Sequence, residues 1–592
     1  MQQGNQTSAD ELNFDEFKAA TYDEWKEAAI AALKGAPFDK VMFTKLVDGV
    51  TLNPIYNKED VPANIELPGQ FPYRRSTRAL GYAERPWDVA QTVYSKCPKG
   101  FNTKALNELA KGSTALTVNL SCKEGTKLKK LESWKTAFEG IDLSALNVYF
   151  KAGSCGLGQL TMLIETCKAQ GNNPADLKGG MLYDPISVML TKGKLCGGMG
   201  LCASMKQMAT MTKWAVKNTT TEFCTIGVNG TTFANAGASA MDEVAFMLAS
   251  ATAYLRAMVD AGLSVDEVAP RIRFNAGINS NLFLEVCKLR ALRMLWAQVV
   301  KACGGSDEAA KIKLGATTSR WSVSKIDPWV NMLRGTSQAF SAVLGGVDSL
   351  DVEPFDVAVR QPDEFSAHIA RNIQLMLAGE FCLDKVVDPA GGSYYIESFT
   401  ETLAKQAYAT FQAIEAEGGM VEAIKAGTVQ AKVADICGKR LQMVDQRRQT
   451  IVGCNKYVNL EEEALEVPEE EVKSCCAAKK AEGKKCCSEE APLTLECDCP
   501  SVIAEAAAAG AKDCKIQKAL VALYGCDCGV TEVTPLEVHH MSERFEALLD
   551  KAIAYKAANG ERPKVHLATC GPLRQHKPRA DFSQDFVLVY AT

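Results

Sequence analysis

Between residues 87 and 380 the chain alternates short apolar runs with longer stretches whose apolar positions recur every three or four residues. The short runs predict strands at Trp87–Tyr94, Ala115–Leu120, Asn147–Lys151, Gly180–Tyr183, Phe223–Val228, Ile272–Asn275, Lys313–Thr318 and Val347–Asp351. Helical periodicity follows them, for instance at Leu157–Ala169, Ala203–Lys217, Met241–Ala261, Leu282–Cys303, Val330–Leu344 and Glu364–Leu377. Eight strands each followed by a helix is the count for a (β/α)8 TIM barrel, in which functional groups sit on the loops after the strands. An open doubly wound sheet is the alternative for such alternation. Eight units in this length favour the barrel.

One unit organises the rest. A strand over Arg271 to Ala276 runs through Gly277-Ile-Asn-Ser-Asn281 into a long helix, where Leu282, Phe283, Val286, Leu289, Leu292, Met294, Leu295 and Trp296 cover most of the surface. That helix is predicted to be largely buried. Glu285, Lys288, Arg290 and Arg293 break its apolar surface at spacings that allow pairing along the helix or at its rim.

The flanks read differently. Residues 1–60 form an arm with a short amphipathic helix at Tyr22–Leu33, ended by Lys34-Gly35, and an otherwise extended course. The barrel region with its flanking helices spans 61–457 and includes helical patterns at about Glu401–Glu417 and Val421–Arg448, outside the barrel. Residues 458–500 are rich in Glu, Lys, Ala and Cys, the composition of a solvated, poorly ordered linker. Residues 501–592 carry helical patterns at Val502–Leu523 and Glu543–Ala558, then Pro563–Thr569, which reads as a buried strand opening a further domain.

A chain of 592 residues is too long for one compact core. Its net charge of -5 makes no electrostatic case for nucleic acid or an anionic membrane, and no apolar run is long enough to span a bilayer. Met1 to Phe17 is polar and acidic, unlike a secretory signal, which points to the cytoplasm. The 22 cysteines divide into eleven dispersed before Cys454, mostly within apolar segments, and eleven crowded between Cys454 and Cys570. There are only five histidines, none before His368.

The wording of the chain resembles the adenosylcobalamin-dependent acyl-CoA mutases, above all the methylmalonyl-CoA mutase family. The resemblance is carried by Phe274–Trp296, Pro68-Gly-Gln-Phe-Pro-Tyr-Arg74, Arg85-Pro-Trp87, Ala236-Gly-Ala238, Trp321-Ser, Asp327-Pro328, Phe365–Asn372, Asp388-Pro389, Gly453 and Asn455-Lys-Tyr457. It implies a barrel whose lumen holds the acyl-CoA, linked to a flavodoxin-like domain that carries cobalamin. On this reading residues 501–592 are expected to hold only the start of that flavodoxin-like (Rossmann-like) domain.

The family's polar groups are replaced at their matching positions. Thr92 stands where the resembling enzymes have a Tyr shortly after Arg-Pro-Trp, Thr231-Thr232 where they have a Tyr-His pair, and Thr317 where they have a Gln. Threonine cannot donate a proton near neutral pH or carry imidazolium charge. On the cobalamin side the family's cobalt-ligating His of Asp-x-His-x-x-Gly falls on Gln575, with Leu573 and Pro578 in place of the Asp and Gly. His576 lies one residue late, without the orienting carboxylate.

This combination, with the wording Gly571–Phe582 and the arm around Trp25, looks like the small subunit of heterodimeric bacterial methylmalonyl-CoA mutases. The resemblance then implies a non-catalytic chain that supports a catalytic large subunit, the cobalamin being bound by that partner. A stand-alone acyl-CoA-binding or interaction protein and a self-sufficient mutase are the rival readings.

Other motifs carry less. Cys475-Cys476, Cys486-Cys487, Cys497-x-Cys499, Cys526-x-Cys528 and nearby His539-His540 lack the Cys-x2-4-Cys knuckle of a zinc site and read as solvated, redox-labile thiols. No metal site is expected. Gly391-Gly392 and Gly197-Gly198-Met-Gly200 read as tight turns, and Asp351 and Glu353 as rim charges.

Overall fold

The computed structural model describes residues 20–588, except 48, 122–124, 196–197, 460–464, 466–492 and 525–531. All eight expected strands form, each close to its anticipated position: β1 (Asp88–Thr92), β2 (Ala115–Asn119), β3 (Asn147–Lys151), β4 (Lys178–Tyr183), β5 (Phe223–Asn229), β6 (Ile272–Ile278), β7 (Lys313–Thr318) and β8 (Ser349–Asp351). They pair in parallel in sequence order, and β8 closes the ring by pairing with both β7 and β1. The chain is therefore a closed (β/α)8 barrel and not an open sheet.

Strand alternation sorts the side chains into two layers. On β6, Phe274 points outward, its ring 4.9 Å from that of Trp296 on the following helix, while Arg273 crosses the lumen towards Ser349 of β8. The helix Leu282–Ala302 begins where the Asn281 carboxamide oxygen accepts the Leu284 amide at 3.3 Å, satisfying one of the open donors of its first turn.

Of the four charges of that helix, Glu285 and Lys288 pair along it as their spacing suggested, Arg290 pairs with other elements, Arg293 binds backbone carbonyls, and none reaches a rim. Glu285, Lys288, Arg290 and Arg293 are all buried. The Lys288 ammonium lies 2.8 Å from Glu243 Oε2 and also meets Glu285 and the Gly277 carbonyl. Arg290 reaches Asp388 and, at 2.7 Å, Glu397. Arg293 donates to the backbone carbonyls of Tyr73, Arg74 and Gly345. The reason is topological: Ala240–Asp260 and Val330–Leu344 flank the helix and Tyr394–Ala416 lies over it, so little beyond its two ends reaches solvent.

The arm helix forms at Tyr22–Ala32, with a reciprocal cap between Thr21 and Glu24, and none of its residues is buried. It is followed by a two-residue antiparallel ladder, Thr44–Lys45 with Thr51–Leu52. At the other end, Pro500–Ala508 and Asp513–Tyr524 join the barrel's outer layer, with Ile503, Ala507, Ile516 and Leu520 buried in the main core.

Pro563–Thr569 does not form the expected strand. Its residues carry no regular structure and are largely exposed, Val565 and Leu567 included. A lone apolar run with no neighbouring ladder to join leaves its backbone to water. The next segment differs as well: what read as a loop at Gly571–Pro578 turns helical from Leu573, within Leu573–Val587. Pro578 lies inside that helix, so the Arg574 carbonyl loses its usual partner.

Candidate functional site

The C-terminal ends of the strands surround a cleft of about 390 Å³, the face on which barrels of this type carry their chemistry. Thr92 from β1, Asn119 from β2 and Lys151 from β3 line it, together with Tyr94, Arg320 and Glu353 from the loops after β1, β7 and β8. Arg320 Nε donates to Glu353 Oε1 at 3.0 Å, and the Tyr94 hydroxyl donates to the other carboxylate oxygen. Burial pushes the Glu353 carboxyl up, but the Arg320 charge and the Tyr94 hydrogen bond outweigh it and leave it below its ordinary value. Glu353 is thus a fixed anion at the mouth.

Asp351 sits one layer deeper. It accepts the Thr92 hydroxyl at 2.5 Å and the Thr92 amide at 3.1 Å, with Lys151 at 3.8 Å. Burial nevertheless holds its carboxyl above the ordinary range. The reading of Asp351 and Glu353 as rim charges is therefore corrected. Asp351 is buried, and both carboxylates are built into hydrogen-bonded clusters, because β8 ends inside the ring it closes.

Below this mouth the lumen is filled. The Tyr149 ring packs with Ala90, Ala115 and Leu182. The Arg273 guanidinium lies over the Tyr149 ring, 4.0 Å from its centroid. Asp88 Oδ2 accepts the Tyr149 hydroxyl at 2.6 Å and Asn147 Nδ2 at 2.8 Å. A Cβ at Gly315 would lie 3.0 Å from both Arg273 Nη2 and Ser349 Oγ, so a side chain there has no room beside the guanidinium. These polar groups are all buried and cross the barrel axis.

The structure brings the substituted threonines to the same end of the barrel. Thr92 bonds Asp351, as above. Asn275 donates to Thr317 Oγ1 at 3.1 Å and to Asn229 Oδ1 at 3.3 Å, and Thr231 donates to that same oxygen at 2.8 Å. Thr317 and Thr231 are thus joined through two asparagines. Thr232 follows, buried in the short helix Thr231–Ala234.

Sequence reading missed Tyr94, Lys151, Tyr149, Arg273 and Asp88. Period-two alternation marks the inward positions of each strand, but which of them meet depends on how the strands are staggered around the ring.

Gln575 and His576 lie on the first turn of Leu573–Val587, away from the residues lining the cleft. The His576 ring is bonded through Nδ1 to the Gly571 carbonyl at 3.0 Å, and Gln575 offers an amide where a cobalt ligand needs an imidazole nitrogen. At the matching position, Gln575 does not fit a lower ligand for cobalamin.

Among the described residues no group of three or more His, Cys, Asp or Glu side chains is placed to hold a metal ion. Cys475, Cys476, Cys486, Cys487, Cys526 and Cys528 lie outside the described residues. His539 and His540 pair with Glu543 and Glu546 respectively. No described helix is long and apolar enough to cross a membrane.

Residues 45–508 match the family model described as methylmalonyl-CoA mutase. The methylmalonyl-CoA mutase small subunit of Porphyromonas gingivalis is 32% identical over 590 residues, covering 97% of this chain and 83% of that protein. A methylmalonyl-CoA mutase of Escherichia coli is 31% identical over 571 residues, 88% of this chain and 79% of that one. The large subunit of the P. gingivalis enzyme is 30% identical over 442 residues, 71% and 61% of the respective chains.

Proposed function

The chain belongs to the methylmalonyl-CoA mutase family, and on that premise we propose that it is the small subunit of such an enzyme. In this reading it binds and stabilises a catalytic large subunit, and the complex interconverts methylmalonyl-CoA and succinyl-CoA in the cytoplasm. The chain itself performs no chemistry, and adenosylcobalamin, which supplies the radical for the rearrangement, is held by the partner.

The observation that carries the proposal is the filled lumen. An acyl-CoA threaded along the axis would have to displace Tyr149 and Arg273 and leave the Asp88 carboxylate buried with one donor fewer. Removing one donor from a buried carboxylate costs about 1–3 kcal/mol, before the displacement of Arg273 is counted. The threonines point the same way, since Thr92, Thr231 and Thr317 are held in structural hydrogen bonds and Thr232 is buried.

The test is a pull-down of the tagged chain from its native lysate, with the eluate assayed for mutase turnover. The expected result is co-purification of a larger, histidine-containing homologue together with cobalamin-dependent activity. A chain recovered alone and inactive would overturn the subunit reading and leave a stand-alone binding protein as the better account.

A further inference from the structure

The described cysteines outside the mouth are not alike. Cys167 and Cys287 are buried, and burial pushes their thiols up to about 11 and about 12, which makes them unreactive near neutral pH. Cys497 is half-buried and Cys499 exposed, one residue apart, and the Cys499 amide donates to Cys497 Sγ at 3.4 Å. The two thiols are also within hydrogen-bonding reach of each other, which holds Cys499 above its ordinary value.

Between them sits a clamp. Asp498 Oδ2 accepts the Thr210 hydroxyl at 2.5 Å and the Tyr524 hydroxyl at 3.1 Å. It thereby ties the start of Pro500–Ala508 to the helix Leu201–Asn218 and to the end of Asp513–Tyr524.

We propose that Cys497 and Cys499 are a redox-active pair, which closes to a disulfide by exchange with a low-molecular-weight disulfide such as oxidised glutathione and, on closing, releases the Asp498 clamp. The Cys497 thiolate, which receives the Cys499 amide hydrogen, attacks one sulfur of the small disulfide and expels a glutathione thiolate with the bonding electron pair. Cys499 then gives up its proton to solvent and attacks Cys497 Sγ, expelling the second glutathione thiolate. Two protein thiols are oxidised and one glutathione disulfide is reduced to two thiols. With a single residue between the sulfurs the ring is small, and constrained disulfides of this kind are readily reduced again. Closure redirects the backbone on both sides of Asp498, so its carboxylate cannot keep both hydroxyl partners.

The experiment equilibrates the full chain in glutathione buffers of rising oxidised fraction, alkylates it and digests it with a Glu-specific protease. Cleavage after Glu496 and Glu505 releases Cys497–Glu505, which contains no other cysteine. The expected product at high oxidised fraction is this peptide unalkylated and lighter by two hydrogens, returning to the doubly alkylated form with dithiothreitol. In Cys499→Ser the resolving thiol is gone, and Cys497 should be trapped as its glutathione adduct. Amide exchange over residues 500–524 should rise severalfold on oxidation, and not in the Cys497→Ser/Cys499→Ser variant. A peptide that stays doubly alkylated, or Cys497 linked to another cysteine of the chain, overturns the redox pair. An oxidised peptide with unchanged amide exchange overturns the clamp.

Discussion

The Arg273 guanidinium lies 4.0 Å from the centre of the Tyr149 ring, although the two residues stand on β6 and β3, which are not neighbours in the barrel. Their contact therefore spans the lumen. Burial holds the Tyr149 hydroxyl well above its ordinary value, so it stays protonated and donates to Asp88, while the positive guanidinium rests on the ring face. One aromatic residue thus closes the axis and satisfies a buried carboxylate.

Tyr149→Phe keeps the ring and deletes the donor to Asp88. The expected loss is about 1–3 kcal/mol of folding stability, the worth of one hydrogen bond to a buried carboxylate that keeps Asn147 as its other donor. Tyr149→Ala also opens a cavity, and should cost about 3–5 kcal/mol. Urea unfolding of the isolated chain measures both. Equal midpoints for Tyr149→Phe and the parent would mean that the hydrogen bond to Asp88 contributes nothing.

Arg290 is the shared cation of two buried carboxylates, Asp388 and Glu397, with Arg75 on the far side of Asp388 at 2.6 Å. Arg290→Met strands Glu397 most severely and is expected to destabilise the chain by about 3–5 kcal/mol. Adding Glu397→Gln should recover part of that loss, because it removes the uncompensated charge. A double variant as unstable as the sum of the single ones would refute this coupling.

Two buried carboxylates should give opposite pH dependences. Burial, with Glu285 alongside, pushes Glu243 up from 4.5 to about 7 despite its contact with Lys288. The folded chain then holds this proton more tightly than the unfolded one, so its contribution to stability falls as pH rises across that window. Glu353 is held below its ordinary value, so its contribution is present above the usual carboxylate range and is lost as pH falls. Urea midpoints of Glu243→Gln and the parent between about pH 4 and pH 8 test the first case. Relative to the parent, the variant should gain stability as pH rises through the window and then level off.

Restoring the family's polar groups should not restore catalysis. Thr92→Tyr, Thr231→Tyr, Thr232→His and Thr317→Gln combined would refit the mouth but leave Tyr149 and Arg273 across the axis. With added adenosylcobalamin and methylmalonyl-CoA, the purified variant is expected to show no turnover. Measurable turnover would contradict a lumen closed to acyl-CoA.

The eight strands and the helices between them were legible because each depends on a local period: apolar runs for buried parallel strands, three-to-four spacing for the helices that cover them. The threonine positions were legible from the wording around Arg85-Pro-Trp87 and Trp321. The same local signals misread Pro563–Thr569, where an apolar run has no ladder to join, and the helix from Leu573. They also left Asp351 and Glu353 at the rim, and left open whether the charges of Leu282–Ala302 pair along the helix or at its rim.

What the sequence by itself determined is the barrel's strands and covering helices and their order along the chain. Whether the lumen is open was decided only by the tertiary structure. Tyr149, Arg273, Asp88 and Ser349 come from four different strands, and they meet because closing the ring fixes the stagger between strands far apart in the chain. No local pattern encodes that stagger, since it belongs to the closed barrel as a whole.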